Sequence, residues 1–182
     1  MQKIFIAALA AVIVSCNSGD KKTGETETKE PAASAPMNMY GYTPVYSASF
    51  EMGDPKQAEM ILSLWKDWDN GDLSLSKSKF ADSVHFYTGD GSTTEGLRDS
   101  AVAAMQQYRD MFASVKSTVH AIFPVKSTDK SENWVCVWGT EVNTDKAGKS
   151  DSLYLQETWR FTKDGKVDLL YQHQRPYLPA HK

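Results

Sequence analysis

The stretch 133–176, NWVCVWGTEVNTDKAGKSDSLYLQETWRFTKDGKVDLLYQHQRP, narrows the possible folds more than any other part of the chain. Three runs within it, 133–142, 152–162 and 166–174, are dense in Val, Leu, Trp, Tyr and Phe. Such residues suit a pleated, half-buried surface. The intervening 145–150 and 163–166 are rich in Gly, Asp and Lys, as hairpin turns require. Asp164-Gly165 is the sharper signal, because a tight hairpin needs positive φ and Asp-Gly supplies it at little cost.

Alternation assigns side chains to faces. Trp134, Cys136, Trp138 and Thr140 oppose Val135, Val137, Gly139 and Glu141. On the second run Leu153, Leu155, Glu157, Trp159 and Phe161 oppose Tyr154, Gln156, Thr158 and Arg160. On the third, Val167, Leu169, Tyr171 and His173 oppose Asp168, Leu170, Gln172 and Gln174. Both faces carry bulk, unlike a sheet with one wet face. One face is therefore expected to pack on helices, and the other to meet a partner subunit or a ligand.

Upstream, Asp54-Pro55 predicts a helix start, with Asp as cap and Pro in the first turn. Ala58, Ile61, Leu62, Trp65 and Trp68 follow at helical spacing, and Asn70-Gly71 ends the helix. A shorter helix is expected over 72–80, a strand over 83–87 and a loop over 88–92. A third helix is expected from Gly96 or Asp99 to about Val115, burying Leu97, Ala101, Ala104, Met105, Tyr108, Met111 and Phe112. A strand over 118–128 follows, with Pro124 as a bulge or edge feature. Asp67 and Asp69 read as solvated.

The first 15 residues read as a signal peptide: Lys3, then an apolar run from Ile4 to Val14 too short for an ordinary membrane span. Ile13-Val14-Ser15-Cys16 resembles the bacterial lipobox, in which the cysteine is lipidated and becomes the first residue of the mature chain. Residues 16–37 form a polar tether without aromatics, unable to bury enough to offset its ordering entropy. Residues 38–53 form an aromatic arm around Tyr40, Tyr42, Val45, Tyr46 and Phe50, expected to pack on the domain or to form a ligand lip. The folded domain spans 54–177, and 178–182 is a tail. With Cys16 acylated, Cys136 has no disulfide partner in the chain and reads as a small core residue. A formal charge of −3 without a basic stripe argues against nucleic acid as a partner. No Walker or dinucleotide glycine motif is present, so no cofactor is expected, and no Cys or His pair has zinc-site spacing, so no metal is expected either.

The segments WKDWDNGDLSLSKSKFADSVHFY at 65–87 and ETWRFTKDGKVDLLYQH at 157–173 resemble the nuclear transport factor 2-like superfamily, within it the SnoaL-like proteins. The first matches the opening helix, its Asn-Gly-Asp break and the Ala-Asp-Ser-Val run into a strand; the second matches a Trp-x-Phe hairpin turning at Asp-Gly. The resemblance covers about 54–176. It implies an α+β, cystatin-like cone: a curved antiparallel sheet of mixed-length strands wrapped around three N-terminal helices, with a pocket at the open end. It also implies a homodimer through the outer face of the sheet.

Acid–base enzymes on such a fold need a carboxylate or histidine aimed into the pocket and donors for a developing oxyanion. Ketosteroid isomerase-like members place a base at the end of the first strand. Here that position is Tyr87, and a phenol with a pKa of about 10 is a poor base at neutral pH. The candidate catalytic residues are Glu157, His85 and His173, with Tyr87 as a donor beside His85. Each has a plainer reading, a sheet-edge hydrogen bond for the histidines and a structural ion pair for Glu157. Trp65, Trp134, Trp138, Trp159 and Tyr171 are the candidate ligand-binding aromatics, against the plainer role of filling the core.

These residues lead to a lipid-anchored envelope protein that binds a small hydrophobic ligand without established catalysis. Asn17 after Cys16 is unlike the inner-membrane retention signal, which favours an outer-membrane anchor facing the periplasm. The alternatives are a cofactor-independent isomerase, dehydratase or hydrolase using Glu157, His85 or His173, and an accessory module docking through the outer sheet face.

Overall fold

The computed structural model describes residues 37–176. From residue 50 the chain runs β1 (Phe50–Met52), α1 (Pro55–Asn70), a 3-10 helix (Ser74–Lys79), β2 (Phe80–Tyr87), β3 (Thr93–Leu97), α2 (Arg98–Arg109), β4 (Phe112–Ser127), β5 (Asn133–Asp145), β6 (Ser150–Phe161) and β7 (Val167–Pro176). All seven strands belong to one sheet in the order β1-β4-β5-β6-β7-β2-β3. Register shifts in β4, at the end of β6 and in β2 mark bulges, which sharpen twist and bend a sheet into a cone.

Helix α1 begins and ends as its sequence dictates. The Asp54 carboxylate accepts from the Lys56 amide at 2.9 Å, and Gly71 closes the helix at φ 81°. Ala58, Ile61, Leu64 and Trp65 are buried against β4 and β5. A side chain as enclosed as Ile61 contributes about 1.5–3 kcal/mol by leaving water. Buried Arg109, at 5% exposure, ties off the far end of α1. Its guanidinium donates to the carbonyls of Trp68 (2.6 Å), Asp69 (3.0 Å) and Phe112 (3.1 Å), linking α1, α2 and β4.

Four expectations need correction. Helix α2 stops at Arg109 instead of running to Val115; Phe112 and Val115 belong to β4, where Val115 is buried from a strand. Gly96 opens no helix but lies in β3, which pairs with β2. The sheet is not wholly antiparallel, because β2 runs parallel to β7, and β2 and β3 separate the 3-10 helix from α2. Asp67 is buried rather than solvated: it accepts from Ser76 Oγ at 2.8 Å and pairs with Lys79, pinning the 3-10 helix to α1. Asp69 holds the Ser117 hydroxyl at 2.7 Å.

The faces separate as alternation requires. Val135, Val137, Gly139 and Glu141 are buried toward the helices, with Leu155, Glu157, Trp159 and Phe161 beside them on β6. The aromatic arm lies on the opposite face. Tyr46 meets the Trp134 ring edge-on at 4.8 Å and bonds the Tyr171 hydroxyl at 2.9 Å, while β1 pairs with the edge of β4. The arm contributes no residue to the cavity described next.

Candidate functional site

Between the helices and the concave face lies a cavity of about 280 Å³. Helix α1 supplies Leu64, Trp65 and Trp68; α2 supplies Ala104, Met105 and Tyr108; the sheet supplies Phe86, Leu155, Trp159 and Leu170, among others. Hydroxyl, amide and carboxylate groups are set into this apolar wall, Ser76, Thr94, Gln174 and two glutamates among them.

Glu157 is the most enclosed of the wall's acids, at 4% exposure. Its Oε2 accepts from the indole N–H of Trp65 at 2.7 Å and of Trp159 at 2.9 Å. Its Oε1 accepts from the amide of Gln172 at 2.8 Å. That amide is oriented by its other end, since Gln172 Oε1 takes the Gly89 N–H at 3.1 Å. All three partners are neutral donors. Burial raises the carboxyl pKa, and the hydrogen bonds from Gln172, Trp65 and Trp159 offset part of that rise. Oε2 has two donors and Oε1 one, so Oε1 retains room for a partner.

Glu141 repeats the arrangement one helical step away. Trp68, three residues after Trp65 on α1, donates its indole N–H to Glu141 Oε2 at 2.8 Å, and Asn143 donates to Oε1 at 2.7 Å. Burial raises this carboxyl too. Among the described residues no salt bridge reaches either glutamate. Asp90, on the loop between β2 and β3, is the third acid on the wall. The Ser92 N–H and hydroxyl, with the Thr88 hydroxyl, hold its carboxyl below the ordinary range. Among the described residues no group of three His, Cys, Asp or Glu is arranged to hold a metal ion.

The chain is similar in fold to several solved proteins. AusH from Aspergillus nidulans is 13% identical, with 69% of this chain and 87% of that one covered at TM-score 0.54. An LEH-like epoxide hydrolase from M. tuberculosis is 10% identical, covering 66% and 84% at TM-score 0.53. A nuclear transport factor 2-like protein of unknown function from Burkholderia pseudomallei is 19% identical, covering 65% and 90% at TM-score 0.53. The domain has the nuclear transport factor 2-like fold. No family model matches the sequence, and no curated protein does.

On this nuclear transport factor 2-like cone the sequence candidates divide by face. Glu157, Trp65 and Trp159 converge on the cavity. His85 and Tyr87 do not: on β2 it is Phe86 that points inward, and the other two share the outer face. His85 lies 3.7 Å from Glu95, and Tyr87, 41% exposed, stacks on Tyr171 at 5.1 Å. His173 sits beside a shallow outer depression with Trp138 and Arg175. Trp134 is buried beneath Tyr46, and Trp138 is exposed. The reason is common to all six: the sheet's period of two puts them opposite Glu157. Cys136, half-buried near Thr158, has a thiol pushed up by burial. Cys16 lies outside the described residues.

Three residues of the nuclear transport factor 2-like site went unsingled in the sequence: Glu141, Gln172 and Gly139. Glu141 alternates with Val135, Val137 and Gly139 just as Glu157 does with Leu155 and Trp159, so the same test applied to β5 finds it. Gly139 permits the Trp65 ring to lie against the sheet, where a Cβ would stand 2.8 Å from the indole.

Proposed function

We propose that the domain binds a small, largely apolar molecule in the cone cavity and orients it by a hydrogen bond to Glu157. The observation that carries this reading is a carboxylate at 4% exposure on the wall of a 280 Å³ void, with acceptor capacity left over on Oε1. Three indoles, Trp65, Trp68 and Trp159, line the void and make intrinsic fluorescence a direct reporter. A fragment screen against the full chain should find compounds that shift this emission and raise Tm. Replacing half-buried Leu153 on the wall by Trp should abolish both effects by filling the space. Compounds that act equally on the wild type and Leu153→Trp, or no active compound at all, would sink the reading.

An acid–base enzyme is the second reading, favoured by the raised carboxyl pKa of Glu157. An epoxide hydrolase among the fold neighbours shows the cone can carry such chemistry in another protein. Binding without turnover is preferred here because the wall's indole N–H groups, the evident oxyanion donors, are already engaged by carboxylates. If turnover of an epoxide or enolisable ketone is found, Glu157→Gln should lower it by about 10²–10⁴.

We also propose lipid anchoring at Cys16 and an outer-membrane, periplasm-facing location, supported by Ile13-Val14-Ser15-Cys16 and tested by fatty-acid labelling of wild type against Cys16→Ser. A homodimer through the outer sheet face is supported by exposed Trp138 and Val142. Sedimentation of the full chain decides it; a monomer would favour docking of a different envelope protein on that face.

A further inference from the structure

We infer that the cavity takes a protonated amine: a primary ammonium group carried on a small apolar or aromatic body. This rests on the binding reading above and names its ligand class. The decisive feature is the sign of the charges on the wall. Asp90, Glu141 and Glu157 line the cavity, and among the described residues no Lys, Arg or His does. The cations nearby are committed elsewhere. Lys79 pairs with Asp67, and Arg109 spends its N–H groups on the carbonyls of Trp68, Asp69 and Phe112.

At the two glutamates acceptor positions also outnumber the donors they receive. A carboxylate offers about four lone-pair positions. Glu157 receives three neutral donors and Glu141 two. Beside Glu141, Asn143 keeps its nitrogen on the carboxylate and leaves its buried Oδ1 with no donor. A wall of this kind repels an anion. Its remaining donors are neutral hydroxyls and amides, Thr94 and Gln174 among them, so a carbonyl or ether oxygen can be held there but leaves the carboxylates uncompensated. An ammonium brings three donors and the missing charge together, and a buried carboxylate is stable when so compensated. The ring faces lining the void suit the same cation.

Size sets the body. At about 30 Å³ per water-sized volume, 280 Å³ holds on the order of nine or ten non-hydrogen atoms. Phenethylamine, 2-phenylethanol and phenylacetate have that size and differ in charge, so the three form a matched probe set.

Titration calorimetry of the full chain at neutral pH with these probes tests the inference. Phenethylamine should bind at least about tenfold tighter than 2-phenylethanol, as expected for a hydrogen bond to a charged group, with phenylacetate weakest. Glu157→Gln should erase most of that preference, bringing the amine's affinity down toward the alcohol's. The wild-type ranking stands alone if the variant fails to fold. An alcohol that equals the amine, or an acid that surpasses it, overturns the amine assignment and leaves the cavity reading intact. No binding by any probe also overturns it; the fluorescence screen with Leu153→Trp then decides whether the cavity reading falls as well.

Discussion

The indole of Trp65 lies on Gly139 of β5, so close that a Cβ there would stand 2.8 Å from two ring carbons. The same missing Cβ would also meet the Thr118 carbonyl oxygen of β4 at 2.5 Å. A helix residue thereby touches the strand backbone, and its N–H reaches Glu157. Gly139→Ala should cost about 1–3 kcal/mol by overpacking, read from denaturant midpoints. In a Trp65→Leu background the cost should shrink but not vanish, because the carbonyl clash remains. A cost unchanged in that background would show that the ring is not what Gly139 accommodates.

Replacing the two glutamates by glutamine should have unequal effects at neutral pH. At Glu141 the new amide can be matched by rotating Asn143, whose Oδ1 is buried without a donor, so Glu141→Gln should be neutral or stabilising. At Glu157 the new NH2 would face the Gln172 amide, which the Gly89 N–H holds in orientation. Glu157→Gln should therefore lose about 1–3 kcal/mol. Equal losses in thermal unfolding would contradict the asymmetry.

Both carboxyls also set a pH dependence. Their folded pKa values lie above the unfolded value of about 4.3 because burial disfavours the charge. The folded state therefore holds its protons more tightly. The resulting stability is present in full below about pH 4.3 and is lost as pH rises through the folded values. Measured against the wild type, Glu157→Gln should flatten the decline above that point. An identical slope in the variant would mean that Glu157 ionises as freely folded as unfolded.

Arg109 closes α1 without a carboxylate partner. Arg109→Met keeps the aliphatic stem but strands the carbonyls of Trp68, Asp69 and Phe112. A loss of about 2–4 kcal/mol is expected in urea unfolding, with Arg109→Lys intermediate because one ammonium cannot span all three. A loss below about 0.5 kcal/mol would place those carbonyls in water.

On the convex face, the hydrogen bond to Tyr171, burial and the charge of Tyr171 push the Tyr46 hydroxyl up to about 12. Its contribution is present below about pH 10 and lost as pH rises toward the folded value. Tyr46→Phe should quicken proteolysis within the arm and leave cavity binding unchanged, since no arm residue lines the cavity. Weakened binding in that variant would mean the two faces are coupled.

Much of this was legible in local sequence. Asp54-Pro55 and Asn70-Gly71 bound α1, and Asp164-Gly165 turns the last hairpin, because caps and tight turns are set by the residues that form them. What was not legible depended on partners distant in sequence. Met111, Phe112 and Val115 continue a helical stripe, yet β5 draws 112 onward into β4. The parallel pairing of β2 with β7 joins segments some eighty residues apart, as His85 opposite Leu169 illustrates. Within the site, Glu157 stood out because it sits among large apolar neighbours on its own strand. Glu141 sits among smaller ones, Gly139 and Asn143, so the same alternation marks it less sharply.

The pairing of β2 with β7 also bears on the order of assembly. The β4–β7 hairpins close short loops, whereas joining Phe80–Tyr87 to Val167–Pro176 demands a long one. Such closure is entropically slow and belongs late in a folding reaction. Phe86 on β2 reaches the cavity wall only through that step. The cavity wall is therefore complete only once that pairing is made. A molecule bound there stabilises the finished pairing of the two strands, and with it the far edge of the sheet.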